Sequence, residues 1–248
     1  MRIAVIIPAR YASSRYPGKP LVPLLGKPMV LWVAERAMAA VGKENVYIAT
    51  EDERIKEVVI AQGFQAVMTS ATALTGTDRV AEAAEQLVAD CYINLQGDEP
   101  LVNPKDILHV AQAKEQHRDL IINAYTWIGN EENPNSVNIP KVITNESGMM
   151  VYMSRQCIPG FKDSTMAPSK YKKQVCIYAY TKEELEAYVA FGRKSGLEAT
   201  EDIEILRFLE LGRNVLMVEA TPGSMAVDVP ADVEPVEREL ERLNAQEL

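Results

Sequence analysis

Residues 2–7, Arg-Ile-Ala-Val-Ile-Ile, run directly into residues 8–21, Pro-Ala-Arg-Tyr-Ala-Ser-Ser-Arg-Tyr-Pro-Gly-Lys-Pro-Leu. The first segment is a continuous apolar run without polar alternation, the pattern of a strand buried in a sheet. The second is a loop with two arginines, a lysine, two serines and a glycine. Arg10, Arg15 and Lys19 supply charge-assisted donors, Ser13 a hydroxyl, and the loop amides fill in, so the segment is suited to a polyanion such as a triphosphate. A solvated basic loop is the plain alternative; its place at the C-terminal end of a strand, where open α/β sheets bind ligands, favours the anion site. No G-x-x-x-x-G-K-[ST] pattern occurs, so the loop is not of the Walker type. No G-x-G-x-x-G follows the first strand either, which argues against a dinucleotide fold.

Outward from this stretch, residues 46–49, 66–68 and 91–95 repeat the buried-strand pattern. Residues 29–41, 54–62 and 77–89 between them have helical spacing. Alternation of strand and helix implies parallel strands with right-handed crossovers in a doubly wound α/β sheet. From residue 120 the rhythm changes. Residues 120–127, 140–144 and 149–153 read as closely spaced strands, followed by a polar loop and a further strand at 174–180. The region 120–180 is therefore expected to be an antiparallel excursion within a single unit spanning residues 1–248. Helices at 182–192 and 201–211, a strand at 215–220 and a final helix from Ala231 complete the pattern. The loop 159–173 is either a lid or an ordinary mobile connection.

The chain has 248 residues, 47% of them apolar, and a formal net charge of −9. That balance argues against a general nucleic-acid or anionic-membrane binder, so any basic patch must be local. The three cysteines, Cys91, Cys157 and Cys176, form no C-x-x-C pair, and there are two histidines. Neither a zinc site nor a disulfide framework is supported, and a reduced, cytoplasmic protein is expected. No apolar stretch approaches the ~18 residues of a membrane span.

Two acidic segments complement the basic loop. Gln96-Gly97-Asp98-Glu99-Pro100 follows the strand at 91–95, and Val227-Asp228-Val229-Pro230 follows the strand at 215–220. Each aspartate alone also reads as a turn former or helix cap. Together with a triphosphate loop, Asp98 and Asp228 suit Mg²⁺, which takes one or two carboxylates and completes its shell with phosphate and water oxygens. Glu99 reads as a further ligand or, in preference, as a helix-start charge. In Thr75-Gly76-Thr77-Asp78-Arg79, Thr77 or Asp78 reads as a helix cap, while the glycine and Arg79 also suit a base or sugar pocket.

The blocks IPARYASSRYPGKPL, GKPM, IATEDERI, VMTS followed by TGTDR, INLQGDEPL, YMSRQCIP, IYAY and VDVPADV occur in this order over nearly the whole chain. In these the sequence resembles the CMP-Kdo synthetases (3-deoxy-manno-octulosonate cytidylyltransferases) of the nucleotide-sugar nucleotidyltransferase superfamily. The resemblance implies a nucleotidyltransferase-A type α/β fold, CTP and Mg²⁺ as cosubstrate and cofactor, a homodimer through the antiparallel region, and a role in lipopolysaccharide biosynthesis. On matching positions it implies that Arg10, Ser13, Arg15 and Lys19 cradle the triphosphate and that Asp98 and Asp228 hold the metal. Thr77 and Arg79 would shape the cytidine pocket, and Gln96, Arg155, Gln174, Tyr178 and Glu204 would face the acceptor. An acceptor oxygen would attack the α-phosphorus of CTP and release pyrophosphate, with Arg15, Lys19, Asp98 and Asp228 as the catalytic set.

The departures from the family's pattern fall in the acceptor half. Lys173-Gln174-Val175-Cys176 stands where members usually read Lys-His-x-Gly, and Ile203-Glu204-Ile205-Leu206-Arg207 where they usually read Leu-Glu-Gln-Leu-Arg. Gln174 and Ile205 are thus expected to alter the sugar pocket and to weaken binding of Kdo, with Ile205→Gln plus Gln174→His restoring it. Kdo or a close analogue, including its amino-sugar variant, is the expected acceptor. The alternative is a small phosphonate held by Arg155, Lys173 and Arg207. A non-catalytic CTP sensor is the reading from another class, against which Lys19, Asp98 and Asp228 are all present.

Overall fold

The opening apolar run forms a fully buried strand that occupies the middle of a large sheet. The computed structural model describes residues 1–12, 16–129 and 132–245. In chain order the elements are β1 (Ile3–Pro8), β2 (Pro23–Leu24), β3 (Lys27–Pro28), α1 (Met29–Val41), β4 (Val46–Thr50), α2 (Glu53–Ala61), β5 (Gln65–Met68), α3 (Gly76–Glu85), β6 (Cys91–Leu95) and α4 (Pro104–Gln116). They continue with β7 (Ile121–Trp127), β8 (Lys141–Thr144), β9 (Met150–Ser154), β10 (Lys172–Tyr180), α5 (Lys182–Ala190), α6 (Gly196–Glu201), α7 (Leu206–Glu210), β11 (Val215–Glu219) and α8 (Val233–Asn244).

The central sheet runs β11-β7-β10-β6-β1-β4-β5, with β8 and β9 branching from β10. Along this path every pair is parallel except those of β10, which is antiparallel to both β6 and β7. The stretch 120–180 is therefore less of an excursion than its spacing suggests: β7 and β10 lie inside the main sheet, and the β8–β9 pair is what projects from it. Side chains alternate between two apolar layers. One joins Val5, Ile7 and Ile93 to α1, α2 and α4, and the other joins Ala4, Ile6 and Tyr92 to α3, α5 and α7. This is the layered arrangement that a mostly parallel sheet requires.

Local chemistry explains the helix starts. Asp52, Thr75, Asn103 and Thr181 each accept from a backbone N–H in the first turn of the helix they precede, an arrangement that contributes about 1 kcal/mol each. The cap of α3 is thus Thr75, not Thr77 or Asp78. The helix expected over 201–211 is shortened to α7, and α6 lies before it; Asp202, in a left-handed conformation (φ 50°), ends α6 and separates the two. At the C-terminus, Val236 and Leu240 of α8 pack on Leu24, Trp32, Leu101 and Val227. That contact fixes the segment carrying Asp228 against the β2–β3 hairpin. Among the described residues no helix is long and apolar enough to cross a membrane.

Candidate active site

The carboxyl ends of β1 and β6 open into a cleft of about 530 Å³. Gly18, at φ 71°, turns the chain after the first loop so that a short 3-10 turn starts at Lys19, a conformation that glycine adopts without a Cβ penalty. The Gly18 amide donates to the Tyr11 carbonyl at 2.9 Å and closes the loop. Lys19 then extends its ammonium to Asp98 Oδ2 at 2.7 Å and lies 3.5 Å from Asp228 Oδ1. The two aspartates come from segments 130 positions apart, joined by a backbone bond from the Val227 amide to the Asp98 carbonyl at 2.9 Å. Asp232 holds the second segment by accepting from the amides of Asp228 (2.8 Å) and Val229 (2.9 Å).

The sequence's metal pair is therefore brought together around one cation. Asp98 Oδ1 is buried and has no hydrogen-bond partner among the described residues, so this carboxylate has acceptor capacity that the chain does not use. Among the described residues no group of three or more acidic, histidine or cysteine side chains surrounds the point. That donor set fits a hard cation whose remaining ligands are phosphate and water oxygens. Arg10 is exposed and lines the same cleft. Ser13 and Arg15 lie outside the described residues.

At the α3 end, Arg79 is 3% exposed yet lines the cleft. Burial pulls its pKa down against the opposing charge of Glu51, to which it is paired at 2.9 Å. It also donates to Thr69 Oγ1 at 2.5 Å. Thr77 does not line the cleft. Its hydroxyl donates to Glu204 Oε2 at 2.6 Å and accepts from Asn94 at 3.2 Å, so its visible role is to fix the helix start. Glu204 also accepts from the amides of Gly76 (2.9 Å) and Thr77 (2.7 Å). Burial raises the Glu204 pKa despite these donors, leaving a carboxylate that sits at a helix N-terminus and borders the cleft. A Cβ at Gly76 would lie 2.7 Å from Gln96 Nε2 and 3.2 Å from Glu204 Oε1. Gln96 and Glu204 thus converge on one point.

The opposite wall is built on β10. The β10–β7 register jumps between Val175 and Tyr178, and Asn123 stitches the extra residues by donating to the carbonyls of Val175 (3.1 Å) and Ile177 (2.9 Å). Val175, Ile177 and Ala179 stay together in the layer of α1 and α4, so the alternation along β10 is kept and Gln174, Cys176 and Tyr178 all border the cleft. Gln174 donates to Asn123 Oδ1 at 3.1 Å. Burial pushes the Tyr178 hydroxyl well above its usual range, so it stays a neutral donor. Arg155 completes this side.

Several expectations are corrected. Glu99 starts no helix; it is 4% exposed and bridges the Cys176 amide (3.2 Å) and Ser224 Oγ (2.5 Å), with burial raising its pKa against the Ser224 bond. Ile205 is fully buried among apolar side chains and does not border the cleft. Arg207 is fully buried too, its guanidinium bound to Glu198 (2.6 and 2.7 Å) and Asp78 (2.9 and 3.2 Å), so it is not available to a ligand. Lys173 borders the cleft and is paired with Glu132. Neither the Asn123 stitch nor the Arg207 clamp was singled out from the sequence; the only signal for the second was an arginine in an otherwise apolar run.

Comparison with known proteins places these features in context. Residues 4–216 match the family model described as Cytidylyltransferase. The 8-amino-3,8-dideoxy-manno-octulosonate cytidylyltransferase of Shewanella oneidensis is 40% identical, over 97% of this chain and 99% of that one. The protein of the same name in Shewanella baltica is 38% identical over the same shares. A solved structure of CMP:2-keto-3-deoxy-manno-octonic acid synthetase complexed with CTP superposes with a TM-score of 0.88 at 37% identity, covering both chains completely. A cytidylyltransferase from Leptospira borgpetersenii shares the fold, with a TM-score of 0.64 at 17% identity over 96% of this chain and 85% of that one.

Proposed function

The chain belongs to the CMP-Kdo synthetase family of cytidylyltransferases, and from that premise we propose that it transfers CMP from CTP to an eight-carbon 3-deoxy sugar acid. The observation that carries this reading is the single cleft in which Lys19, Asp98 and Asp228 face Gln96, Arg155, Gln174, Tyr178 and Glu204. A triphosphate site and a polar acceptor wall would thereby share one cleft. The acceptor favoured is the 8-amino sugar named for the Shewanella relatives. Glu132 and Asp202 border the cleft, paired with Lys173 and Lys194, and a ligand ammonium would take the place of one of those lysines.

Arg10 and Lys19, with Ser13 and Arg15 of the same loop, would bind the triphosphate oxygens. Asp98 and Asp228 would hold Mg²⁺, which when bound supplies charge neutralisation at the phosphates. On CTP binding, the Lys19 ammonium would exchange part of its contact with the aspartates for phosphate oxygens. It would then stabilise negative charge as the pyrophosphate leaves. Arg155 has five N–H groups; its Nε, Nη1 and Nη2 each donate one bond to a backbone carbonyl, leaving two for the acceptor carboxylate. Gln96 and Tyr178 would fix the attacking hydroxyl against the α-phosphorus. Most of the acceleration would come from alignment and preset charge, with no covalent intermediate.

The phosphonate reading loses Arg207 to a buried ion pair, and the named relatives act on octulosonates. A cytoplasmic homodimer active in lipopolysaccharide biosynthesis accords with the resemblance. Val137, Val151, Phe161 and Met166, all more than half exposed around β8 and β9, supply apolar surface for a second copy. The test is pyrophosphate release with CTP and Mg²⁺ against Kdo, its 8-amino analogue, a nonulosonic acid and 2-aminoethylphosphonate. Turnover is expected with the octulosonates and fastest with the 8-amino sugar; turnover with the phosphonate alone would defeat the proposal.

A further inference from the structure

Lys141, the first residue of β8, is fully buried. Among the described residues no carboxylate lies within ion-pairing distance of it. Its ammonium instead donates to two backbone carbonyls, Ser136 at 2.8 Å and Arg155 at 2.6 Å. An unpaired buried ammonium is costly, and an apolar side chain of similar length would pack there without that penalty. Burial lowers its pKa, while the Cys157 thiol and the Glu201 carboxylate act to raise it and Arg155 to lower it.

What the cation joins is specific. Ser136 and Arg155 both border the cleft. Arg155 itself donates to the Val137 carbonyl (2.8 Å) in the same loop as Ser136, to the Asp202 carbonyl (2.9 Å) and to the Glu201 carbonyl. Glu201 returns the connection by accepting from the Arg155 amide at 2.9 Å and from Ser154 Oγ at 2.6 Å. Lys141 and Arg155 thus form one frame that ties the loop after residue 135, the end of β9 and the turn between α6 and α7. All of these lie on the acceptor wall. Among the described residues, the triphosphate half, built on β1, β6 and the 227–232 segment, has no hydrogen bond to Lys141.

We propose that Lys141 is a positioning residue for the acceptor, acting through the Arg155 guanidinium, with no part in binding CTP. This rests on the functional reading above, because it needs an acceptor that Arg155 contacts.

The test is steady-state pyrophosphate release by Lys141→Met, with CTP and the octulosonate varied separately and circular dichroism confirming the fold. The methionine keeps the length and removes the donors. The acceptor KM is expected to rise about tenfold, the scale of one misdirected charge-assisted bond, while the CTP KM stays within about twofold. Lys141→Arg, which keeps charge and donors, should show the same selectivity at smaller size, and it replaces the methionine variant should that fail to fold. Equal shifts in both KM values, or none in either, would overturn the assignment of Lys141 alone. A wild-type enzyme silent with every octulosonate would instead defeat the functional reading on which it rests.

Discussion

Arg207→Met tests whether the buried clamp behind α3 holds the catalytic wall in place. Arg207 has no solvent exposure and makes bonds of 2.6 and 2.7 Å to Glu198 and of 2.9 and 3.2 Å to Asp78. Burial works against its charge, yet the bonds to Glu198 and Asp78 push its pKa up on balance. Removing one partner of a buried ion pair costs about 3–5 kcal/mol, because the remaining charge is left desolvated. Here two carboxylates, 1% and 9% exposed at their side chains, lose the same cation. At ~2–4 °C per kcal/mol for a chain of this size, Tm should fall by roughly 10 °C or more. Arg207→Lys keeps the charge but lacks the fork that spans both acids, and about half the loss is expected. Paired thermal and urea melts measure this. A Tm within 1–2 °C of wild type for the methionine variant, with an unchanged urea midpoint, would refute the reasoning (about 0.5 kcal/mol by the same conversion).

Three further outcomes are expected. Asp98→Asn should lower Mg²⁺-dependent turnover by about two orders of magnitude or more, comparable to losing one preset electrostatic contact in a transition state; undiminished turnover at saturating Mg²⁺ would remove Asp98 from the metal pair. Lys19→Ala should raise the CTP KM about 10- to 100-fold, as loss of a charged hydrogen bond predicts, and an unchanged value would end the triphosphate role of the first loop. In alkylation by iodoacetamide at pH 8 followed by mass spectrometry, Cys157 should label first in the folded protein, Cys176 on the cleft wall more slowly, and the buried Cys91 only after unfolding. Burial pushes the Cys91 thiol up to about 12 and that of Cys176 well above its usual range, and the thiolate is the reactive form.

Much of the parallel half was legible because local rules and tertiary packing agree there. The run Ile3–Pro8 is apolar on both faces and lies mid-sheet, and the Asp98 segment follows the end of β6, whereas the Asp228 segment lies beyond β11 and is brought to it by the Val227–Asp98 backbone bond. The second half was less so. That β10 inserts between β6 and β7 is a long-range pairing, and periodicity does not encode which strands meet. The break between α6 and α7 has no glycine or proline to announce it; a left-handed Asp202 makes it, held by the bond from Arg155 to its carbonyl. The capping pattern Thr75-x-x-Asp78 was present in the sequence, but the glutamate that completes the cap, Glu204, lies 127 residues from Thr77.

The acceptor-half departures divide once their side chains are placed. Ile205 faces the apolar layer around Tyr180 and Phe208, so a glutamine introduced there would bury an amide away from the cleft and cost stability without reaching a sugar hydroxyl. Its presence is no argument against Kdo. Gln174 and Cys176 are different, because the alternation along β10 puts both on the face that borders the ligand space. Where the family usually has an imidazole, this chain presents a carboxamide already bonded to Asn123. Where the family usually has a glycine, it presents a thiol. The first changes which donors and acceptors meet the acceptor, and the second takes up volume beside Glu99. Selectivity among octulosonates should therefore respond to exchanges at 174 and 176, with Gln174→His altering the ratio of kcat/KM for Kdo over its 8-amino analogue. Ile205→Gln should leave that ratio unchanged, and a ratio that moved with Ile205 but not with Gln174 would place the sugar on the other side of the sheet.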